Sequence, residues 1–225
     1  MKVLAFDSSG SACSAAVRDG ERLIAREFAR METGQAERLV PMIADAMAAA
    51  DLDFDALDLI AVTLGPGAFT GVRIGIATAE GLALATGLPA LGLTSFEAVA
   101  AAVPPALRAG RSLIVAIESR REELYLQAFD EAGAPRAAGA LVAEDAWRGS
   151  LPPGALLLAG DGAARLAVAL GDGRDITCAP APGLIDAGDL AALALRRWQA
   201  RPVAEPLAPI YLRAPDTTLP KDAGR

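Results

Sequence analysis

Residues 65–75 read Gly-Pro-Gly-Ala-Phe-Thr-Gly-Val-Arg-Ile-Gly, and few folds accommodate such a run. Gly65, Pro66 and Gly67 follow the apolar stretch Leu59-Ile60-Ala61-Val62, so a strand ends there in a tight turn with exposed backbone. Thr70 is placed to cap a helix whose positions 71, 75, 79 and 83 are Gly, Gly, Ala and Ala. That spacing leaves one stripe of the helix nearly bare of side chains. The segment reads either as a turn facing an oxyanion or phosphate, or as a helix shaped for close docking, against a strand of its own lobe or against another helix.

The pattern around it repeats. Lys2–Asp7, Ala12–Val17 and Arg22–Phe28 form a β-meander, with Asp19-Gly20 as a hairpin turn. A helix over 35–50, a strand over 57–63, a helix over 70–85, a strand over 89–93 and a helix over 95–103 follow. Pro104-Pro105 marks a boundary, after which strands at 112–117, 123–129 and 139–143 begin a second round. That round continues with a strand at 155–159, a helix at 163–170, a strand at 176–179 and a helix at 189–200, capped by Asp186 or Asp189. Two such rounds predict an α/β protein of two lobes, 1–103 and 104–225, in a duplicated ribonuclease-H-like or actin-like fold. The proline-rich tail after Pro202 reads as extended, with its last residues mobile.

Composition narrows the chemistry. The 225 residues contain no histidine, which removes Ser-His and Cys-His nucleophile pairs and every His-containing zinc site. Cys13 and Cys178 are too few for a disulfide framework and lack metal-ligand spacing. No apolar run approaches the roughly 20 residues needed to span a bilayer, and an acid follows too soon after Met1 for a secretory leader. A cytoplasmic protein is the simplest expectation. Net charge is −7, with 13 acids and 7 bases in 1–103 but 15 and 14 in 104–225. An acidic chain is a poor stand-alone binder of nucleic acid, so any tRNA would be met indirectly.

Several segments together resemble the bacterial TsaB family. They are Asp7-Ser8-Ser9, the glycine run 65–75, Ala79-Glu80-Gly81-Leu82-Ala83, Glu118 to Tyr125, Gly160-Asp161-Gly162-Ala163 and Pro209-Ile210-Tyr211-Leu212-Arg213. The resemblance spans nearly the whole chain and is densest from 1 to 125. It implies a non-catalytic subunit of the machinery that places threonylcarbamoyl on adenosine 37 of tRNA. It also implies a catalytic paralogue, TsaD, which carries the metal and nucleotide chemistry, and a small ATPase, TsaE. No intrinsic cofactor or metal is expected on this chain, and no catalytic residue. Gly34-Gln35-Ala36-Glu37 stands where the paralogue has a pair of metal-binding histidines.

Asp7 carries the opposing, enzymatic reading. In actin-like kinases and ATPases an acid at the end of the first strand positions Mg²⁺ and phosphate, and Ser8, Gly65, Gly67 and Thr70 would complete such a site here. The same Asp7 could simply bond the amides of its own turn. The second lobe's first hairpin, Ile117 to Arg121, has two bulky cations and no glycine, so its backbone is poorly suited to cradling phosphate.

The first-lobe helices suggest a partner surface. From Leu39 to Ala50 only Asp45 is charged, and a helix apolar on most sides needs more than one cover. Leu39, Met42, Ile43 and Ala46 of this helix, with Gly71, Val72, Arg73, Gly75, Ile76, Ala79 and Ala83 of the next, form the expected interface with TsaD, or with a second copy of the chain. Arg73 with Glu80 could pair across it or approach a nucleotide, or both could pair within the chain. Arg120 and Arg121 could meet tRNA phosphate or an acidic partner, or remain solvated.

Overall fold

The computed structural model describes residues 1–180 and 183–213. The end of the predicted tail, 214–225, lies outside the described residues. In the first half the elements are β1 (Lys2–Asp7), β2 (Ala12–Asp19), β3 (Arg22–Arg30), α1 (Gln35–Ala49), β4 (Leu59–Thr63), α2 (Phe69–Thr86), β5 (Ala90–Leu93) and α3 (Ser95–Ala102). The second half runs through a short α4 (Pro105–Arg108), then β6 (Ser112–Glu118), β7 (Leu124–Phe129), β8 (Ala140–Val142) and a short α5 (Trp147–Ser150). It ends with β9 (Leu156–Ala159), α6 (Ala163–Leu170), β10 (Ile176–Cys178) and α7 (Ala187–Ala200).

The strands form two five-stranded sheets ordered β3-β2-β1-β4-β5 and β8-β7-β6-β9-β10. In each, the first three strands are antiparallel and the last two run parallel to the first. The same topology therefore occurs twice, which is the two-lobed actin-like fold.

The central strands are buried on both faces, which is why they read as continuous apolar runs. Leu4, Phe6, Ile60 and Val62 face α1 and α2 in one core. Ile114, Leu124, Leu156 and Leu158 face α5 and α6 in another, around the buried Trp147. The two inward faces share a third core, in which Val3, Ala5 and Leu59 of one sheet join Leu113, Val115 and Leu157 of the other through Phe96 and Val99 of α3 and Leu190 and Leu195 of α7. The helices of this layer are exchanged. α7, from the second half, packs on β1, β2 and β3, whereas α3, from the first, lies against β6. Cutting at 103/104 separates the sheets but not this core.

Two exchange contacts are polar. Glu97, in a capping box with Thr94 at the start of α3, pairs with Arg197 of α7. Asp186 caps α7 through the Gly188 amide and accepts from Arg26 of β3 at 2.6 Å.

The stripe on α2 turns inward. Gly71 lies so close to the turn after β1 that a Cβ there would overlap the Ser8 carbonyl, and Gly75 packs on Ser8 and Val62. Gly81, on the same helix, is exposed with open space around it. Gly71→Ala is therefore expected to lower stability by about 1–3 kcal/mol through overpacking. Gly81→Ala should raise it by about 0.5–1 kcal/mol, since glycine is a poor residue in a helix interior. Urea denaturation of the two variants checks both signs.

Candidate functional site

Asp7 ends β1 at the junction of the lobes and is buried. Its Oδ1 accepts from the Ser9 amide at 3.2 Å, the Ser9 hydroxyl at 2.6 Å and the Thr63 hydroxyl. Its Oδ2 is buried with no hydrogen-bond partner among the described residues. Burial pushes the Asp7 carboxyl above its ordinary value, and the bonds from Ser9 and Thr63 only partly oppose this. The same burial, with the Asp7 charge beside it, raises the Cys13 thiol to about 11.

The turn after Asp7 is covered by the chain's own atoms. Ser8 Oγ donates to the Gly71 carbonyl at 2.9 Å, and the Ala68 amide donates to the Ser9 carbonyl at 2.7 Å. Gly67, like Gly71, has no room for a Cβ, in its case against Ser9. The glycine run thus clamps the Asp7–Ser9 turn. α2 starts at Phe69 after Ala68 and has no side-chain cap, so Thr70 does not cap it as the sequence suggests; Thr70 is exposed on the cleft wall.

A small void of about 20 Å³ lies beside Asp7, lined also by Ser9, Ser95 and Asp161. That is room for about one water molecule. Asp161 follows β9, accepts from the Glu118 amide at 2.9 Å, and is also raised mainly by burial. Among the described residues no group of three or more acidic or sulfur ligands gathers for a metal ion. Two carboxylates, one with an oxygen already holding three donors, do not fit a dedicated divalent-metal cage.

Outside this void the lobes enclose a cleft of about 1000 Å³. Its cations are already engaged. Arg120 pairs with Glu32 across the cleft at 3.4 Å, and Arg213 pairs with Glu123 at 2.7 Å. Arg73 lies over the Phe69 ring at 3.7 Å and donates to Tyr211 Oη at 2.7 Å. The hairpin of the second lobe is stapled by Arg165, whose guanidinium donates to the carbonyls of Arg121, Glu122 and Glu123.

The residues expected to form a partner interface are placed differently from that expectation. Leu39, Met42, Ile43 and Ala46 belong to the first lobe's own core, as does Ala79. Gly71, Val72, Gly75 and Ile76 are buried, Ala83 is half-buried, and Arg73 is exposed. Apart from Val40, the large apolar residues of α1 recur at helical spacing and turn toward the sheet. What made the sequence look apolar on every side is alanine, which costs little to expose. The outward faces instead carry Val40, Pro41, Ala44 and Ala48 on α1, and Ala77, Glu80 and Leu84 on α2. Leu84 is 87% exposed and Val40 58%.

The Phe69–Arg73–Tyr211 cluster and the reach of the tail into it were not evident from residue patterns, because they join segments 138 residues apart. The Thr94–Glu97 capping box has its signal in the sequence as Thr-x-x-Glu.

Three comparisons bear on this arrangement. The family model described as TsaD, tRNA N6-adenosine threonylcarbamoyltransferase, matches residues 31–147. TsaB, the tRNA threonylcarbamoyladenosine biosynthesis protein of Haemophilus influenzae, is 35% identical over 126 residues, covering 56% of this chain and 52% of that one. This match spans about half the relative's length. The solved YeaZ from Pseudomonas aeruginosa superposes with a TM-score of 0.79 at 30% identity, covering 94% of this chain and 99% of that one. A more distant likeness, to the component A of an Acidaminococcus fermentans (R)-2-hydroxyglutaryl-CoA dehydratase, has a TM-score of 0.53 at 11% identity, covering 88% of this chain and 98% of that one, and speaks to the fold alone.

The raised Asp7 value has a measurable consequence. The unfolded chain releases this proton near the ordinary value of 3.8, whereas the folded chain holds it to higher pH. Between the two the folded state binds one more proton, so raising the pH favours unfolding. Glu118, Asp161 and Asp189 are raised in the same direction and cancel when wild type is compared with Asp7→Asn. The wild type should therefore lose stability relative to Asp7→Asn as pH rises above about 4. Parallel urea-denaturation curves from pH 4 to 7 would show that Asp7 titrates normally.

Proposed function

Because the chain belongs to the TsaB (YeaZ) family and carries the TsaD family domain over residues 31–147, we propose that it acts in the biosynthesis of threonylcarbamoyladenosine in tRNA. Its role is that of a non-catalytic subunit. It docks on the threonylcarbamoyltransferase TsaD, with the ATPase TsaE joining the pair, and meets tRNA only through that assembly. ATP, ADP and metal belong to the partners.

The observation that carries the non-catalytic part is the clamped Asp7–Ser9 turn. An actin-like kinase needs open backbone at this turn and at the equivalent hairpin of the second lobe to cradle phosphate. Here α2 and Gly67 are pressed onto the first turn, and the second hairpin carries the bulky Arg120 and Arg121 where glycine would leave backbone amides open. One observation favours the rival kinase or ATPase reading, the bare Oδ2 of Asp7. Nucleotide turnover by the purified chain, abolished by Asp7→Asn, would establish that rival.

The docking surface in this reading is the outer face of α1 and α2, two adjacent helices on one side of the first sheet. Val40 and Leu84 are large apolar side chains left in solvent there, and the alanines between them allow close helix approach. The same face could pair two copies when TsaD is absent. Leu84→Arg and Val40→Arg should each weaken a complex with the TsaD of the same source by about tenfold or more, equivalent to about 1.4 kcal/mol. Melting temperature should be unchanged, because neither side chain is in the core. Light scattering of the mixtures gives the answer, and a wild type that forms no complex sinks the docking role.

A further inference from the structure

The cleft has a rigid side and a tied side. On the rigid side, α3 and α7 fuse the lobes into one apolar core. At the mouth the closure is made by the segment that follows α7. Leu207 packs against the first lobe's outer core, and the Ile210 amide donates to the Leu64 carbonyl at 2.7 Å. Tyr211 stacks on Phe69 with ring centroids 5.6 Å apart and accepts from Arg73. Two residues later the chain reaches the other lobe, where Arg213 donates to Glu123 at 2.7 Å and to Ser119 Oγ at 3.4 Å. Four residues, 210–213, thus hold both walls of the cleft.

We propose that residues 207–213 are an inter-lobe strap that fixes how far the cleft mouth opens. The direct bridge between the walls, Arg120 to Glu32, is exposed on both sides and is a weak restraint in water. Arg213 and Glu123 are far less exposed, and the Ile210 backbone bond needs no side chain to be ordered. The strap grips the glycine turn itself, since Gly65 packs against the Ile210 carbonyl. Lobe opening is thereby linked to the placement of Phe69 and Arg73 at the amino end of α2. On the docking reading above, the strap also shapes one end of the partner surface.

Spin labels on the isolated chain test this without any partner, so its failure and that of the docking reading are distinguishable. Glu37→Cys and Glu122→Cys place one label on each wall in a Cys178→Ala background, while Cys13 is buried and unreactive. Arg213→Ala and Tyr211→Ala should each shift the inter-label distances longer and broaden them. The reversed pair, Arg213→Glu with Glu123→Arg, should restore the original distribution. Unchanged distances in both single variants overturn the strap. So does a shift after Arg213→Ala that the reversed pair leaves in place while circular dichroism shows a native fold.

Discussion

At Gly71 the backbone of α2 runs against the Ser8 carbonyl with no space for a side chain between them. The Ser8 hydroxyl bonds the Gly71 carbonyl, and the Ala68 amide bonds the Ser9 carbonyl. This contact fixes the direction in which α2 leaves the sheet, and so which of its faces is spent and which is free. The face with glycine and alanine closes on the β1–β2 turn. The opposite face then carries Leu84 into solvent, and the end nearest the cleft carries Phe69 and Arg73 to meet the tail. A bulkier residue at 71 would lift the helix and disturb all three consequences together.

Secondary structure was legible because the local signals agree with one another. The meander turns, the apolar runs of β1, β4, β6 and β9, and the proline pair at the start of α4 lead to the observed order of strands and longer helices within a few residues, the short α4 and α5 excepted. Direction was harder to read. The stripe at 71, 75, 79 and 83 is visible in the sequence, but periodicity does not say whether a bare face meets its own sheet or another chain. It meets the chain's own turn. Leu39, Met42, Ile43 and Ala46 looked like candidates for a partner because alanine counts as apolar on the remaining sides. A sheet covers only one face of a helix, and the larger side chains took that face. The tail cluster could not be inferred at all, since it depends on how two lobes close.

The exchanged helices join the two lobes through a shared apolar core on one side of the cleft. α7 is made by the second half but covers the first sheet, and α3 does the reverse. Each half therefore supplies apolar surface that only the other can bury, and the shared core has no plane along which to open. At the far side of the cleft the joining groups are Arg120 with Glu32 and the segment after α7. The first is an exposed ion pair, weak in water; the second adds a backbone hydrogen bond, ring stacking and a less exposed ion pair.

A buried acid at the junction of two lobes needs partners that hold it there. Oδ1 of Asp7 collects donors from its own turn and from Thr63 at the end of β4. Ser9 in turn meets Ser95 at 3.3 Å, and the Ser95 amide bonds the Gly65 carbonyl. One oxygen thus ties β1, β4, the glycine turn and α3 at the point where the lobes meet. The three donors on this oxygen favour the ionised carboxylate and so oppose the burial that raises the group. Oδ2 has no partner among the described residues, and burial of the group favours its protonated form. The residue that looks most catalytic in the sequence is accounted for as the knot of the lobe junction, and its unusual proton affinity follows from that position.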